Sequence, residues 1–487
     1  TAQRVRYTLP AESPVASRRP SRAQRTSTTG GPVPHGGWLL SMEGFLDLGE
    51  GALPETTQEV GQRIGAVKPG DVATICLTPG TEEEQKCVAI THGNIEAASS
   101  AIAVSLGLGT RDVHLLYLPL AHAFGRLTFT SAIAAGVTTA FARSHRTVLE
   151  DCQVHSPTYL CAVPRFFDTI RVRMESTRRR MPAVQRAAVQ GALKLAERSM
   201  ESGEPEGVLG GLNRNVVEQL VEAPLQSFLG GQLRFAISGG APLPLEAGSF
   251  FRLHGIEVLE GYGLTETFAT SHLNRFDDND LGTVGFPVGG MECKVDEEGE
   301  ILLRGPSVSP GLWGAEAGLR SHLEDGWFRT GDLGSLDASG RLRITDRKRD
   351  VIITANGKAI APQAMAAAIR SHPLVAQVLI HGDGRNYLTA LVTLDRERAS
   401  FFALDAGLKG LTFQELVRHP VVYDSVDGHI AEVNAQSPAH AAVRKFAILE
   451  DGIAASTGEV APMDRLRRRA AEERHRRLLD SFYQEQY

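Results

Sequence analysis

Residues 71–94 (DVATICLTPGTEEEQKCVAITHGN) bring glycine, hydroxyl and lysine side chains together in one short segment. A strand-like apolar run leads into a turn that contains Gly80 and Thr81, and Lys86 and a helix-starting THGN follow. Backbone N–H groups of such a turn bind phosphate oxygens, and hydroxyl and lysine side chains add further donors. The segment alone is a modest indication of a phosphate-binding loop.

This segment resembles the phosphate loop of the adenylate-forming superfamily (acyl-CoA synthetases, luciferases and peptide-synthetase adenylation domains), which reads roughly T-S-G-T-T-G-x-P-K-G. The residues that match are Thr78, Gly80, Thr81 and Lys86, with Glu84 at the variable position. The residues that depart from the pattern are Pro79, Glu82, Glu83, Gln85 and Cys87. One like-charge contact near 4 Å costs about 4 kcal/mol at an effective dielectric of about 20, so three adjacent glutamates should oppose triphosphate binding. Alternatively, the glutamates point to solvent and Lys86 still serves.

A second segment, EGYGLTET (260–267), matches a superfamily motif without interruption. The resemblance implies that Tyr262 stacks on adenine, that Thr265 binds the AMP phosphate and that Glu266 would hold Mg²⁺. An aromatic face, a hydroxyl donor and a hard carboxylate suit these three roles. Further residues of this motif, expected in the acyl-AMP site by resemblance, are Glu260, Gly261 and Gly263.

Other segments complete the acyl-adenylate site that the resemblance implies. In RTGDLG, Asp332 would accept hydrogen bonds from ribose hydroxyls, and Arg347 of DRKRD would contact ribose or phosphate. In LPLAHAFGR, which resembles the long-chain acyl-CoA synthetase form of its motif, His122 would lie beside the acyl carboxyl group and Phe124 near the acyl pocket. The turn expected beside adenine and the acyl chain consists of Ser238, Gly239, Gly240, Ala241 and Pro242.

The superfamily's C-terminal domain carries a lysine that reaches the carboxylate and α-phosphate during adenylation. The corresponding stretch here is EVAPMDRLRRR (459–469), which places Arg465 at the lysine position. The chain has eight lysines, and the last of them is Lys445. Arginine is a wide planar fork and lysine a compact donor, so the exchange is not conservative at a tight site. Alternatively, Arg465 performs the same role poorly.

These departures fall on parts that serve adenylation, whereas the parts that hold an acyl-adenylate remain. We therefore predict an acid–thiol ligase limited to thioesterification, acyl-AMP + CoA to acyl-CoA + AMP, with the acyl-AMP supplied by a separate adenylating enzyme. The pattern is similar to that of the non-adenylating ligases of platensimycin-type diterpenoid pathways, which implies a hydrophobic acid, with a diterpenoid acid as one candidate. The alternatives are a complete ATP-dependent long-chain acyl-CoA synthetase and a catalytically silent scaffold. Mg²⁺ is doubtful, since the second half-reaction has no triphosphate, and ATP is expected only for the complete synthetase.

The elements that must position these residues follow from hydrophobic patterning. Short apolar runs alternate with helical stretches from about Trp38, which predicts βαβ units and a parallel sheet. Short strands with glycine-rich turns after about residue 282 indicate a small β subdomain, and a compact α+β unit follows. We predict a mobile leader (1–37), an N-terminally shortened α/β domain (38–346) and a small swinging α+β domain (347–487). The resemblance implies a hinge at Arg349 and a pantetheine-lining turn of Asn356, Gly357 and Lys358.

Composition narrows the remaining classes. The 487 residues carry a net charge of −6, which argues against a general nucleic-acid-binding protein. No apolar run approaches the roughly 18 residues of a membrane span, and an apolar signal core is not found at the N-terminus. The five cysteines form no CxxC pair, which is typical of a reduced cytoplasm. A long Arg/Glu/Ala-rich segment (170–228) is interpreted as a helical insertion with a solvated face. The oligomeric state is open, and a homodimer is one option.

Overall fold

The structure is a computed structural model. It describes residues 58–78, 86–202, 214–314, 318–408, 410–450, 453, 460–461, 465–466 and 468–484. The predicted leader and the loop positions from Pro79 to Gln85 lie outside these described residues. Residues 1–71 form one unit, whose described part is a helix over 58–66 followed by a turn. In that turn the Lys68 amide N–H donates to the carboxylate of Asp71 at 2.8 Å.

A seven-stranded sheet forms the centre of the second unit, which begins at Val72. Five neighbouring strands run parallel, and two short strands continue the sheet in antiparallel orientation. In spatial order the strands are Thr138–Phe141, Val113–Leu116, Tyr159–Ala162, Phe235–Ser238, Glu257–Tyr262, His272–Leu273 and Phe286–Pro287. The predicted parallel α/β sheet is confirmed.

Both faces of this sheet are covered by helices because its strands are apolar on both sides. Alternate residues of one strand, such as Leu160 and Cys161, belong to two different hydrophobic clusters. One cluster packs against Val148–His155, Pro164–Arg179 and Leu245–Leu253, and the other against His92–Ser105 and Ala123–Ala135. The remaining helical segments before residue 230 are Ala183–Ser202, 214–217, a π-helical turn Glu218–Glu222, and Ala223–Phe228.

The short apolar runs predicted to form the parallel sheet include VATICLT (72–78), which leads into the predicted phosphate loop. This run does not join the parallel sheet, so that part of the prediction is wrong. Val72–Leu77 forms an antiparallel hairpin with Cys87–Thr91, and the sheet continues through Gly311–Gly314 and Gly318–Arg320. Most side chains of the strand Val72–Leu77 are partly or fully exposed, which suits an antiparallel sheet with one solvated face. Thr91 then caps the helix His92–Ser105, and its hydroxyl accepts a hydrogen bond from the Asn94 N–H at 3.1 Å.

The predicted β subdomain is a five-stranded antiparallel sheet. Its strands are Glu292–Val295, Glu300–Arg304, Trp327–Leu336, Leu323–Glu324 and Leu342–Arg347. Its core includes Tyr262 at the end of the central parallel sheet, together with Ile301 and Leu342. The β subdomain and the central sheet therefore share one hydrophobic cluster at the point where the EGYGLTET motif begins.

The C-terminal part is the predicted α+β unit. A three-stranded sheet, Val375–His381, Leu388–Leu394 and Val443–Leu449, carries helices on both faces. The helices are Pro362–Arg370, Arg396–Asp405, Phe413–Val417, Pro420–Ala435, Arg468–Arg474 and Arg476–Ser481. The last two helices are short and meet at His475. None of the helices in the described ranges has the length and apolar character that crossing a membrane requires.

Candidate active site

Tyr262, Asp332 and Arg347 meet in one buried cluster although 85 positions of sequence separate the first from the last. Tyr262 ends the strand Glu257–Tyr262, and Asp332 pairs with Arg347 across two strands of the β subdomain. The Tyr262 hydroxyl donates to Asp332 Oδ2 at 2.6 Å, and Arg347 Nε lies 3.2 Å from Asp332 Oδ1. Burial, followed by the neighbouring carboxylate, raises the pKa of Tyr262, so the phenol stays a neutral donor.

Glu266 lies in the 3-10 turn Thr265–Thr267, beside this cluster. Burial raises the pKa of Glu266, the positive charges of Lys86 and Arg347 oppose the shift, and Asp332 adds to it. Within the described ranges, no group of three or more His, Cys, Asp or Glu side chains is arranged to hold a metal ion. Mg²⁺ is usually held by one or two carboxylates together with substrate phosphates, and Glu266 fits that donor set only with phosphate oxygens present.

The predicted phosphate loop connects the two strands of the first hairpin. The Thr78 N–H donates to the Lys86 carbonyl at 3.0 Å and closes the base of the loop. Lys86 itself is exposed and acts electrostatically on both Glu266 and His322. The structure therefore brings Lys86 to the Glu266 side of the site, and the seven residues between Thr78 and Lys86 lie outside the described part of the chain.

Glu260 is a buried residue of the central strand Glu257–Tyr262, and it lies opposite Ser238 in the neighbouring parallel strand. Its Oε1 accepts a hydrogen bond from the Leu243 N–H at 2.9 Å, which ties the strand to the turn that follows Ser238. Burial raises the pKa of Glu260 to about 7, against the opposing effects of the Leu243 N–H and of Arg343. Glu260 thus holds the turn 238–242 that was predicted beside adenine, and it does not line the cavity described next.

A cavity adjoins Tyr262 and is lined mainly by apolar side chains; its empty space, including the part open to solvent, is about 640 Å³. Phe124 lines it and packs on Gly239, where an added Cβ would lie 3.2 Å from the phenyl ring. The other predicted residues in its wall are Ser238, Gly240, Gly261, Tyr262 and Gly263. Ala241 and Pro242 are exposed and lie outside this lining. His122 precedes the helix Ala123–Ala135 and also lies outside it.

A buried carboxylate lies three residues before the predicted hinge residue Arg349. Asp346 accepts hydrogen bonds from the Arg347 N–H at 2.6 Å and from the Gln363 N–H at 2.9 Å, and so links the β subdomain to the helix Pro362–Arg370. Burial raises the pKa of Asp346. Arg349 is exposed, with its Nε 3.9 Å from Asp350 Oδ1. The hinge prediction thus falls where the chain passes from the β subdomain to the C-terminal part.

The remaining predicted residues lie in the C-terminal part. Asn356, Gly357 and Lys358 form an exposed turn between the strands Ile352–Ile353 and Ala359–Ile360. Gly357 has a φ of +69°, which a residue without Cβ adopts at no steric cost. Arg465 lies in the short strand Arg465–Leu466, which pairs with Val460–Ala461, and its side chain is outside the description.

The sequence prediction missed an ion-pair network between the two large parts of the chain. Asp168 in the helix Pro164–Arg179 forms salt bridges with Arg171, at 2.8 Å, and with Arg398 from the C-terminal part. Arg171 also pairs with Glu175 at 3.2 Å and is 12% exposed. The interpretation of the charged segment as a solvated face is therefore wrong for this end of it. Asp168 and Arg398 are 230 positions apart, so no local sequence pattern predicts their contact.

Two family models match the chain. Residues 15–313 match the model described as AMP-binding enzyme, and residues 349–487 match AMP-binding enzyme C-terminal domain. The chain belongs to the AMP-binding enzyme family. The superfamily resemblance carried by EGYGLTET and RTGDLG is confirmed, and the second match begins two residues after Arg347.

Curated relatives place this family member in the long-chain branch. It is 32% identical over 99% of its length to the long-chain-fatty-acid–CoA ligase FadD15 of Mycobacterium bovis, of which it covers 82%. It is also 32% identical to the peroxisomal long chain acyl-CoA synthetase 7 of Arabidopsis thaliana, over 74% of this chain and 53% of that protein. The predicted branch is therefore confirmed.

Solved structures confirm the fold. The ATP-bound RpMatB-BxBclM chimera B1 aligns with a TM-score of 0.60 at 22% identity, over 84% of this chain and 69% of that one. O-succinylbenzoate CoA synthetase (MenE) from Bacillus subtilis, in complex with the acyl-adenylate intermediate OSB-AMP, aligns with a TM-score of 0.58 at 23% identity, over 83% and 69% of the two chains. The family member thus has the predicted architecture of a large N-terminal and a small C-terminal domain.

Proposed function

We propose that this protein is an acyl-CoA ligase that forms a thioester between a hydrophobic carboxylic acid and CoA by way of an acyl-adenylate. The observation that carries the proposal is the buried cluster of Tyr262, Asp332 and Arg347 beside an apolar cavity of about 640 Å³. An aromatic ring and a carboxylate suit adenine and ribose, and the mainly apolar lining of the cavity suits a hydrophobic acyl group. The relatives named as long-chain-fatty-acid–CoA ligases support the choice of an apolar acid.

The second half-reaction needs alignment more than activation. The CoA thiol loses its proton to solvent, and the resulting thiolate attacks the acyl carbonyl. A C–S bond forms, the C–O bond to the phosphate breaks, and AMP leaves with the electron pair. The mixed anhydride already carries the activation energy, so the protein mainly aligns thiol and carbonyl. Thr265 and Arg347 would bind the AMP phosphate, and His122 would lie beside the carbonyl. A rotation about Arg349 would bring the turn at Asn356–Lys358 to the pantetheine arm.

The narrower proposal confines the protein to this second half-reaction. Its support comes from the sequence: Glu82–Glu84 replace loop residues that would face a triphosphate, and Arg465 replaces the adenylation lysine. A separate adenylating enzyme would then supply the acyl-AMP, and CoA would be the second substrate. A diterpenoid acid is one candidate for the acyl group.

A complete ATP-dependent synthetase is the second candidate. The long-chain-fatty-acid–CoA ligase of M. bovis aligns with nearly the whole chain, which favours retention of both half-reactions. Lys86 and Arg347 also act on Glu266, so cationic side chains surround the carboxylate that would hold Mg²⁺ against ATP phosphates. In this candidate Glu266 and the substrate phosphates together would bind the metal, and Lys86 would contact the phosphates.

One assay with two reactions separates the candidates. Purified protein is given dodecanoic acid, ATP, Mg²⁺ and CoA in one reaction, and dodecanoyl-AMP with CoA in the other. Thioester from dodecanoyl-AMP alone supports the narrower proposal. Comparable rates in both reactions contradict it and support a complete synthetase. A lack of product in both reactions contradicts both candidate functions and leaves a non-catalytic role. Asp332→Ala is the control variant and should lose thioester formation.

A gain-of-function variant tests the cause of the restriction. Combining Glu82→Thr, Glu83→Gly and Arg465→Lys removes two carboxylates and restores the lysine, and should raise ATP–pyrophosphate exchange by at least about tenfold. The matched control is Arg444→Lys, an exposed position in the same C-terminal part, which should leave the exchange unchanged. No gain in the combined variant would place the defect elsewhere than in these residues.

A further inference from the structure

The cavity beside Tyr262 is not uniformly apolar. Four of the residues that line it carry polar side-chain atoms without a hydrogen-bond partner among the described residues. These residues are 0–1% exposed. They are Ser131, Tyr159, Ser238 and His272. Buried polar groups in native proteins nearly always have partners, so unpartnered atoms around a ligand cavity indicate that a ligand or water supplies them.

His272 gives this polar lining a defined chemistry. The Ser271 hydroxyl donates to the Tyr262 carbonyl at 3.1 Å, so its single proton is already committed. The same oxygen lies 3.0 Å from His272 Nδ1, and with its own proton directed at the carbonyl it accepts a hydrogen bond from that nitrogen. His272 Nε2 is then the unprotonated nitrogen and an acceptor, and it has no partner within the described part of the chain. Burial lowers the pKa of His272 to about 3, which keeps the ring neutral.

The surroundings of His272 Nε2 favour the acyl group as the source of the missing donor. The neighbouring wall is formed by side chains such as Leu106, Leu127, Ile237 and Leu273, which suit a hydrocarbon body. Tyr159 stacks on His114, with ring centroids 4.9 Å apart, and contributes an unpartnered hydroxyl to this apolar region. Polar atoms within an apolar wall fit an acid whose hydrocarbon body carries an oxygen function.

We propose that the acyl pocket is specific for a hydroxylated carboxylic acid, whose hydroxyl donates to His272 Nε2, rather than for an unsubstituted fatty acid. The inference rests on the proposed function, because it assigns the cavity to the acyl group of the acyl-adenylate. A site that hydrogen-bonds a substrate hydroxyl discriminates against the analogue that lacks it, since the buried group is otherwise left unpaired. We expect a preference of at least about tenfold for the correctly placed hydroxyl.

The test uses non-hydrolysable acyl-sulfamoyl-adenosines and measures their affinity for the full chain by calorimetry. The series comprises the dodecanoyl compound and its monohydroxy isomers, with the hydroxyl moved along the chain. We expect one or more isomers to bind at least tenfold more tightly than the parent compound. His272→Phe should abolish this preference and retain the affinity for the parent, whereas His272→Gln, which keeps an acceptor, should retain part of it.

The matched control is His254→Phe, a buried histidine whose ring packs on Phe250 and which lies outside the cavity lining. It should keep the full preference, and its circular dichroism and that of His272→Phe should match the wild type. If no isomer exceeds the parent, or if His272→Phe keeps the preference, the inference is wrong. If His272→Phe weakens the binding of AMP alone by the same factor as the binding of the preferred isomer, His272 recognises the nucleotide and the inference is also wrong.

The same series separates this inference from the proposed function. Parent binding without any preference among the isomers overturns the hydroxyl specificity and leaves the acyl-CoA ligase proposal intact. Failure of AMP and of every acyl-sulfamoyl-adenosine to bind overturns the proposed function, and the inference with it.

Discussion

Glu260 gives the protein a stability that should depend on pH in a specific direction. The carboxyl is buried in the central sheet, and burial raises its pKa from the ordinary value of 4.5 to about 7. Between these two values the folded chain holds a proton that the unfolded chain has lost. Folding is therefore favoured at low pH, and this contribution is lost as the pH rises from about 4.5 through about 7. Above the folded-state pKa the remaining penalty is constant.

The size of the effect follows from the shift. One pKa unit corresponds to about 1.36 kcal/mol, so the free energy of unfolding should fall by roughly 3 kcal/mol across this window. Glu260→Gln keeps an oxygen that accepts the Leu243 N–H, at present 2.9 Å from Oε1, and cannot ionise. The variant should therefore gain roughly 3 kcal/mol on the wild type between pH 4.5 and pH 8.

Urea unfolding followed by circular dichroism at half-unit pH steps measures this difference. Glu246→Gln, at an exposed position in the nearby helix Leu245–Leu253, is the matched control and should follow the wild type at every pH. A difference between Glu260→Gln and the wild type that stays flat with pH would refute the reasoning. So would a difference that grows toward low pH, because the sign of the linkage would then be reversed.

Three further variants test contacts of the site and of the domain interface. Tyr262→Phe removes the hydroxyl that donates to Asp332 and should lower the free energy of unfolding by about 1.5–3 kcal/mol in urea titrations; an unchanged value would contradict this bond. Gly263→Ala would place a Cβ 2.2 Å from a backbone carbon and should cost at least about 3 kcal/mol, with AMP affinity lost in calorimetry; a variant with wild-type stability would contradict the close approach. Arg398→Ala leaves Asp168 with one arginine fewer and should speed limited proteolysis between the two large domains several-fold; an unchanged digestion rate would show that the pair does not restrain them.

The sequence was sufficient for the central sheet because parallel strands are buried on both faces. LRFAIS and IEVLEGYG are short, mainly apolar runs, and the strands Phe235–Ser238 and Glu257–Tyr262 lie within them. VATICLT is similar in composition, yet it pairs with the nearby strand Cys87–Thr91, in an antiparallel sheet that continues through strands beyond position 310. Local composition does not encode which strands complete a sheet, so the sheet to which this strand belongs could not be predicted from its own residues.

The candidate site was predicted from motifs, and its connecting contacts were not. The motifs supplied Tyr262, Asp332 and Arg347, which the structure brings together. His272 carried no signal, because its role depends on a proton committed by Ser271 to a backbone carbonyl. This dependence can be recognised only once the strand register is known, because Tyr262 and His272 are paired across two antiparallel strands.

The bond between Tyr262 and Asp332 has a consequence for the proposed nucleotide site. An ionised carboxylate offers about four lone-pair positions, and the Tyr262 hydroxyl and Arg347 occupy one on each oxygen. Two positions remain, which matches the two hydroxyls of a ribose. The hydroxyl lies in the plane of the Tyr262 ring, so this bond does not itself cover either face of the ring. One hydrogen bond therefore fixes the orientation of the aromatic face and of the carboxylate relative to each other, and the two would recognise adenine and ribose as a unit.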